Sequence, residues 1–111
     1  MMTLFPKEAI EMCFGHTPEL PMKSKLFLLY YSGDEIWDYD AAERIMEEES
    51  LTGNDYWKWN MRFWLKELYI NGLLEITAED VDDGTHFAEY KTITRYRVTD
   101  YGKEVMDKML R

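Results

Sequence analysis

Cysteine is almost missing from this 111-residue chain, and so are the motifs from which most catalytic centres are built. One cysteine, Cys13, excludes an internal disulfide framework and fits a reducing compartment. The only histidines are His16 and His86. Cys13 and His16 have a C-x₂-H spacing, but no second pair completes a zinc site. Cys13 reads instead as a small core thiol. No glycine-rich phosphate loop or nucleophile elbow is present. The many carboxylates lie on polar segments, where ordinary pKa values are expected. No apolar run approaches the ~18 residues of a membrane span, and the longest, residues 26–31, reads as part of a core helix. The N-terminus lacks a basic region followed by an apolar stretch, so no signal peptide is visible. These absences argue against an enzyme, a bound metal or cofactor, and a membrane protein. They place the chain in the cytoplasm.

What is present is carboxylate and aromatic. Hydrophobic residues make up 46% and aromatic residues 15%, enough for one globular domain with a sizeable core. Lysine and arginine number 13 against 22 acids, for a net charge of −9. The imbalance is uneven. Residues 34–55 hold nine acids against Arg44 alone, and residues 79–90 hold five acids and no base. The bases gather in residues 56–78 and 91–111. A nonspecific polyanion binder is not built this way.

Residues 54–71 carry three of the four tryptophans and read as one helix with two apolar arcs. At ~100° per residue, Trp57, Met61, Trp64, Leu65 and Leu68 share one side. Tyr56, Trp59, Phe63 and Ile70 share the opposite side, and Lys58, Arg62 and Lys66 run between them. One arc suffices to seat a helix on a core, so the second needs another partner.

Around this segment the spacing predicts an N-terminal helix with Phe5, Ile10 and Phe14, then a proline-bearing connector over residues 16–21. A second helix follows over residues 22–32, then a short strand at residues 35–37. Asp40 is expected to cap a third helix reaching residue 49, with Ala41, Ile45 and Met46 inward. Residues 73–78 and 90–99 alternate as strands of a hairpin, with a turn signal at Asp82-Asp83-Gly84-Thr85 and a tip spanning residues 79–89. A final helix spans residues 100–110, with Val105, Met106, Met109 and Leu110 on its apolar side. The fold class is α+β.

Two stretches carry a resemblance. Leu65-Lys66-Glu67-Leu68 followed by Asn71-Gly72-Leu73-Leu74-Glu75-Ile76 resembles the end of a recognition helix entering the first wing strand of a winged helix-turn-helix domain. Tyr96-Arg97-Val98-Thr99-Asp100-Tyr101-Gly102-Lys103-Glu104-Val105 resembles the second wing strand turning into the last helix, as in regulators of the MarR and PadR type. The resemblance covers residues 22–111, with three core helices, a two-stranded wing and a C-terminal helix. It leaves residues 1–21 as an added helix and connector of one compact domain. It implies that residues 54–71 occupy the position that enters the major groove of DNA in such regulators. Lys58, Arg62 and Lys66 would then meet phosphates or base edges, Asn54 or Asn60 could read a base, and Lys91, Arg95 and Arg97 would add phosphate contacts. Winged helices also serve as protein-binding modules.

Three features favour a protein partner over duplex DNA. Asp38 and Asp40 open the preceding helix where such proteins approach phosphate. The hairpin tip, with Asp82 and Asp83, is acidic where a wing would carry arginine or lysine. The outward arc of Tyr56, Trp59, Phe63 and Ile70 is apolar, whereas base edges call for polar side chains. That arc has three explanations: it packs under the N-terminal helix, it forms a homodimer interface, or it is a hot spot for a different protein. The acidic blocks allow a sharper expectation. They can imitate the charge of nucleic acid and occupy the basic groove of a nucleic-acid-handling protein. Small acidic inhibitors of phages and mobile elements work in that way, and the likeness to them is one of size and charge.

Overall fold

A computed structural model describes residues 20–110. The expected N-terminal helix, most of the connector, Cys13 and His16 lie outside the described residues. The described chain is α+β, with four helices and one three-stranded antiparallel sheet: α1 (Leu20–Leu28), β1 (Ile36–Trp37), α2 (Asp38–Glu48), α3 (Asp55–Ile70), β2 (Leu74–Val81), β3 (Thr92–Val98) and α4 (Asp100–Met109). The sheet order is β1-β3-β2, so β3 is central and β2 forms a long edge. No helix among the described residues is long and apolar enough to cross a membrane.

Local sequence explains most boundaries. α1 begins two residues before the expected start, with Pro21 in its first turn, where a missing N–H leaves no bond unmade. It stops at Leu28, earlier than expected: Leu29 N–H still reaches back four residues to Lys25, and from Tyr30 on the bonds reach back three, Tyr30 to Phe27, Tyr31 to Leu28 and Gly33 to Tyr30. Gly33, at φ +86°, completes that exit. The Asn54 side chain accepts from the Trp57 N–H and caps α3, and Asn71 closes it. Thr99 caps α4 through the Gly102 N–H. α2 departs from expectation. It begins at Asp38, its N-cap is Trp37 with no side-chain bond, and Asp40 sits inside the first turn, paired with Arg44 at 2.8 Å. Asp40 is therefore not the cap.

The core draws on every element. Leu26, Phe27 and Tyr30 from α1 and its exit meet Ile36, the inward residues Ala41, Ala42, Ile45 and Met46 of α2, and Met61, Leu65 and Leu68 of α3. Leu73, Leu74, Tyr96, Val105 and Met106 close it from the hairpin and α4. Trp57 and Trp64 pack with each other at 6.1 Å and are only half buried. Leu110 is exposed rather than inward. Lys23 of α1 reaches Glu67 of α3 at 2.7 Å, which ties the first helix to the third.

The hairpin is longer than its alternation suggests. A bulge at Thr77 separates the pairs Ile76–Tyr96 and Ala78–Arg95, and pairing then continues to Val81–Thr92. Glu79 and Asp80 are thus strand residues, and the tip loop runs from residue 82 to residue 91. At the other end, Thr99 N donates to the Leu73 carbonyl and Gly102 lies against the same oxygen. A Cβ at Gly102 would fall 2.0 Å from Leu73 O and 2.8 Å from Val98 Cγ2, with backbone on one side and no room to move. Gly102→Ala is expected to destabilise the fold by about 2–3 kcal/mol, read as a lowered denaturation midpoint at unchanged slope.

Candidate functional site

The geometry of α3 is set by the edge of β3. β1 is only two residues long and pairs with Tyr96 and Arg95, so β3 continues past it with no strand alongside Thr92 and Thr94. Two side chains take the place of that strand. The buried carboxylate of Asp38 accepts from the Thr94 N–H at 3.2 Å and from its own neighbour Tyr39 N at 2.8 Å. The buried guanidinium of Arg62 donates through Nη2 to the Thr92 carbonyl at 3.1 Å. Asp38 belongs to α2 and Arg62 to α3, so this edge locks both helices to the sheet.

Burial raises the Asp38 carboxyl from its ordinary 3.8 to about 6. The two backbone N–H donors and the charges of Arg62 and Lys66 oppose that rise without cancelling it. Asp38 is therefore an interior bracket and not part of an acidic docking face, which corrects the expectation for this residue.

The tip loop folds back onto α3. Asp82 is 2% exposed, and its carboxylate accepts from four backbone N–H groups: Gly84 and His86 at Oδ1, Phe87 and Ala88 at Oδ2. Burial works to raise its pKa, and the four donors outweigh that and hold it below the ordinary carboxylate range. Asp82 too leaves the acidic surface, whereas Asp83 stays exposed and turns the chain through Thr85. With the loop shaped in this way, His86 stacks on Tyr39 at 3.6 Å and Phe87 meets Trp59 at 5.5 Å. The Arg62 guanidinium lies 5.5 Å from both the Trp59 and the Phe87 ring, and Lys58 Nζ lies 5.5 Å from Phe87. Trp59 thereby leaves the outward arc and becomes a half-buried cover for Arg62.

The rest of that arc faces out. Tyr56, Phe63 and Ile70 are 65, 59 and 67% exposed, and they recur every seven residues along one side of α3. Beside Ile70, a groove of about 310 Å³ opens between the end of α3 and the hairpin, and Lys66, Ile76, Glu79 and Thr92 help to line it.

The cations divide into two groups. Arg97 is held by Glu75 at 2.6 Å, and Arg95 lies 3.6 Å from Glu35 and bonds Thr77. Both are neutralised, with Arg95 also over the Trp37 ring. Lys58, Arg62, Lys66 and Lys91 take part in no ion pair among the described residues, and all four belong to α3 or the end of the tip loop. The other two unpaired lysines, Lys103 and Lys108, are on α4. Burial lowers the Lys66 pKa, and the nearby charges of Arg62 and Lys91 lower it further, against Asp38 and Glu79.

One row of surface acids follows α2: Asp40, Glu43, Glu47 and Glu48, with Glu43, Glu47 and Asp55 around a cleft that also contains Lys58. No group of three or more His, Cys, Asp or Glu side chains among the described residues is arranged to hold a metal ion. Sequence reasoning missed Phe87 and His86, whose aromatic type inside a polar loop was the available signal.

Two outcomes follow from this geometry. Because the folded Asp38 pKa lies above the unfolded one, its contribution to stability is full at low pH and is lost as pH rises through about 6. Between pH 5 and 7.5 the chain should lose about 1 kcal/mol relative to Asp38→Asn, measured by paired urea titrations. Asp82→Ala should release the tip loop while α3 stays folded. Hydrogen exchange at Phe87 and Ala88 would rise, acrylamide quenching of Trp59 would rise with it, and the α3 core amides would keep their protection. Against known proteins, no family model matches the chain, no curated protein is similar to it, and no solved structure matches it.

Proposed function

We propose that this chain is a non-enzymatic binding protein of winged helix-turn-helix type that acts through protein contact on the outward face of α3. The element order supports that fold assignment: short strand and two helices, then a hairpin, then a helix, with α3 in the recognition position. The observation that carries the function is the stripe of Tyr56, Phe63 and Ile70, exposed on a rigid 16-residue helix whose other side is core. Large apolar side chains in a line on an otherwise charged surface favour association with a protein. The nucleic-acid-mimic form of this proposal loses support, because Asp38 and Asp82 are spent inside the fold. The other acids of the two blocks remain for it, among them Asp34, Glu35, Asp40, the α2 glutamates, Asp80 and Asp83.

Duplex DNA is the second reading, and the unpaired Lys58, Lys66 and Lys91 favour it. Arg62, Arg95 and Arg97 are withdrawn from it by burial or by their acidic partners.

The test is the pair Tyr56→Ala with Phe63→Ala. Both side chains are exposed, so the thermal midpoint should change little, and the complex recovered with the tagged chain from its source cell should be lost. A retained complex would overturn the proposal. Retardation of duplex DNA at low salt that disappears in Lys58→Ala with Lys66→Ala would favour the second reading. Self-association lost in the same double variant would identify the partner as another copy.

A further inference from the structure

The groove between α3 and the hairpin is lined by one cation, Lys66, and one acid, Glu79, and two further cations, Arg62 and Lys91, lie near Lys66. The chain has a net charge of −9, yet three cations gather here: burial lowers the Lys66 pKa, and the nearby charges of Arg62 and Lys91 lower it further. The acids that face Lys66 are Asp38, whose carboxylate is already committed to Thr94 and Tyr39, and Glu79 on the far wall. None of the three cations has an ion pair among the described residues, although acids outnumber bases in the chain by 22 to 13. Ile70, 67% exposed, lines the groove, and Phe63, 59% exposed, lies seven residues earlier on the same stripe of α3.

We infer that this groove receives a protein segment in which one or two carboxylates sit beside large apolar side chains, the apolar groups on Phe63 and Ile70 and the carboxylates on Lys66 and Lys91. The inference rests on the protein-binding reading above and adds the chemistry of the partner. Local charge selects this occupant over two others. A nucleic acid brings a continuous row of phosphates, and such a row would pass Glu79, Asp80, Asp83 and Glu89 on the strand and loop around the groove. A protein segment places its charge only where the cations are. A second copy of this chain meets a net charge of −9 with its own −9, and a two-fold contact through the α3 stripe sets Lys66 near its own counterpart.

The test uses a random-peptide display library selected on the intact chain, so that no partner need be known. Peptides enriched in Asp or Glu next to two or more large apolar residues are expected. Lys66→Glu with Lys91→Glu should weaken them about tenfold or more, and Phe63→Ala should weaken them similarly. Lys66→Gln and Lys91→Glu, each made alone, repeat the charge test in case the double variant is poorly folded. Peptides that need Phe63 but ignore all three charge variants would overturn this inference and leave the protein-binding reading standing. Absence of any enriched peptide, or a mixed-sequence DNA duplex shifting the NMR signals of Phe63, Lys66 and Ile70, would overturn both.

Discussion

The fold turns on an unfinished edge. β3 is central to the sheet, but β1 accompanies it for only two residues, and beyond that point the Thr94 N–H lies in the interior. A buried backbone donor left without a partner costs about 1–3 kcal/mol, which a small domain with a total stability of 5–15 kcal/mol cannot absorb repeatedly. Asp38 and Arg62 supply the missing partners from two different helices. A longer β1 would have done the same with backbone groups alone. Side chains do it at a greater cost, visible in the raised Asp38 pKa and in the Arg62 Nε that has no acceptor. In exchange, the start of α2, the middle of α3 and the hairpin are fixed relative to each other at one place.

The surface follows from that arrangement. A guanidinium drawn inward on α3 brings its own helical turn close to the hairpin, and a charge so placed needs cover from water. Trp59 and Phe87 provide it, each ring 5.5 Å from the guanidinium carbon. Phe87 can reach that position only because the tip loop is coiled around the Asp82 carboxylate. One buried arginine thus accounts for three features that look separate along the chain: a tryptophan removed from the outward arc, an aspartate removed from the acidic tip, and a loop that lies on a helix instead of extending into solvent.

Features set by near neighbours were legible in the sequence. Asn54 and Asn71-Gly72 bound α3, Thr99 caps α4, and the wheel of α3 separates Met61, Leu65 and Leu68 from Tyr56, Phe63 and Ile70 as the periodicity implies. Features set by distant partners were not. Asp38 meets Thr94 across 56 positions and Arg62 meets Thr92 across 30, and no periodicity encodes either contact. A carboxylate in an acidic run looks the same in sequence whether it faces water or four amide hydrogens. The strand ends were obscured for a local reason. The bulge at Thr77 shifts the alternation by one residue, so Glu79 falls opposite Thr94 on the groove side, and the alternating pattern stops before the strand does.

Charge has to be read at the scale of the groove as well as the chain. At an ionic strength near 0.15 M the screening length is about 8 Å, so a partner held in the groove at the end of α3 senses Lys66, Lys91 and Glu79 more strongly than Glu43 and Glu47, which flank the first turn of that helix. Net charge governs how the protein meets other macromolecules at long range, and the few charges beside the contact govern what stays bound. Here the two scales have opposite signs. The folding of the hairpin creates that opposition: it pairs Arg97 with Glu75, leaves Arg95 beside Glu35, and sets Lys91 near Lys66, with Glu79 across the groove. The same edge contact that secures the core therefore also decides where the protein's unspent positive charge is displayed.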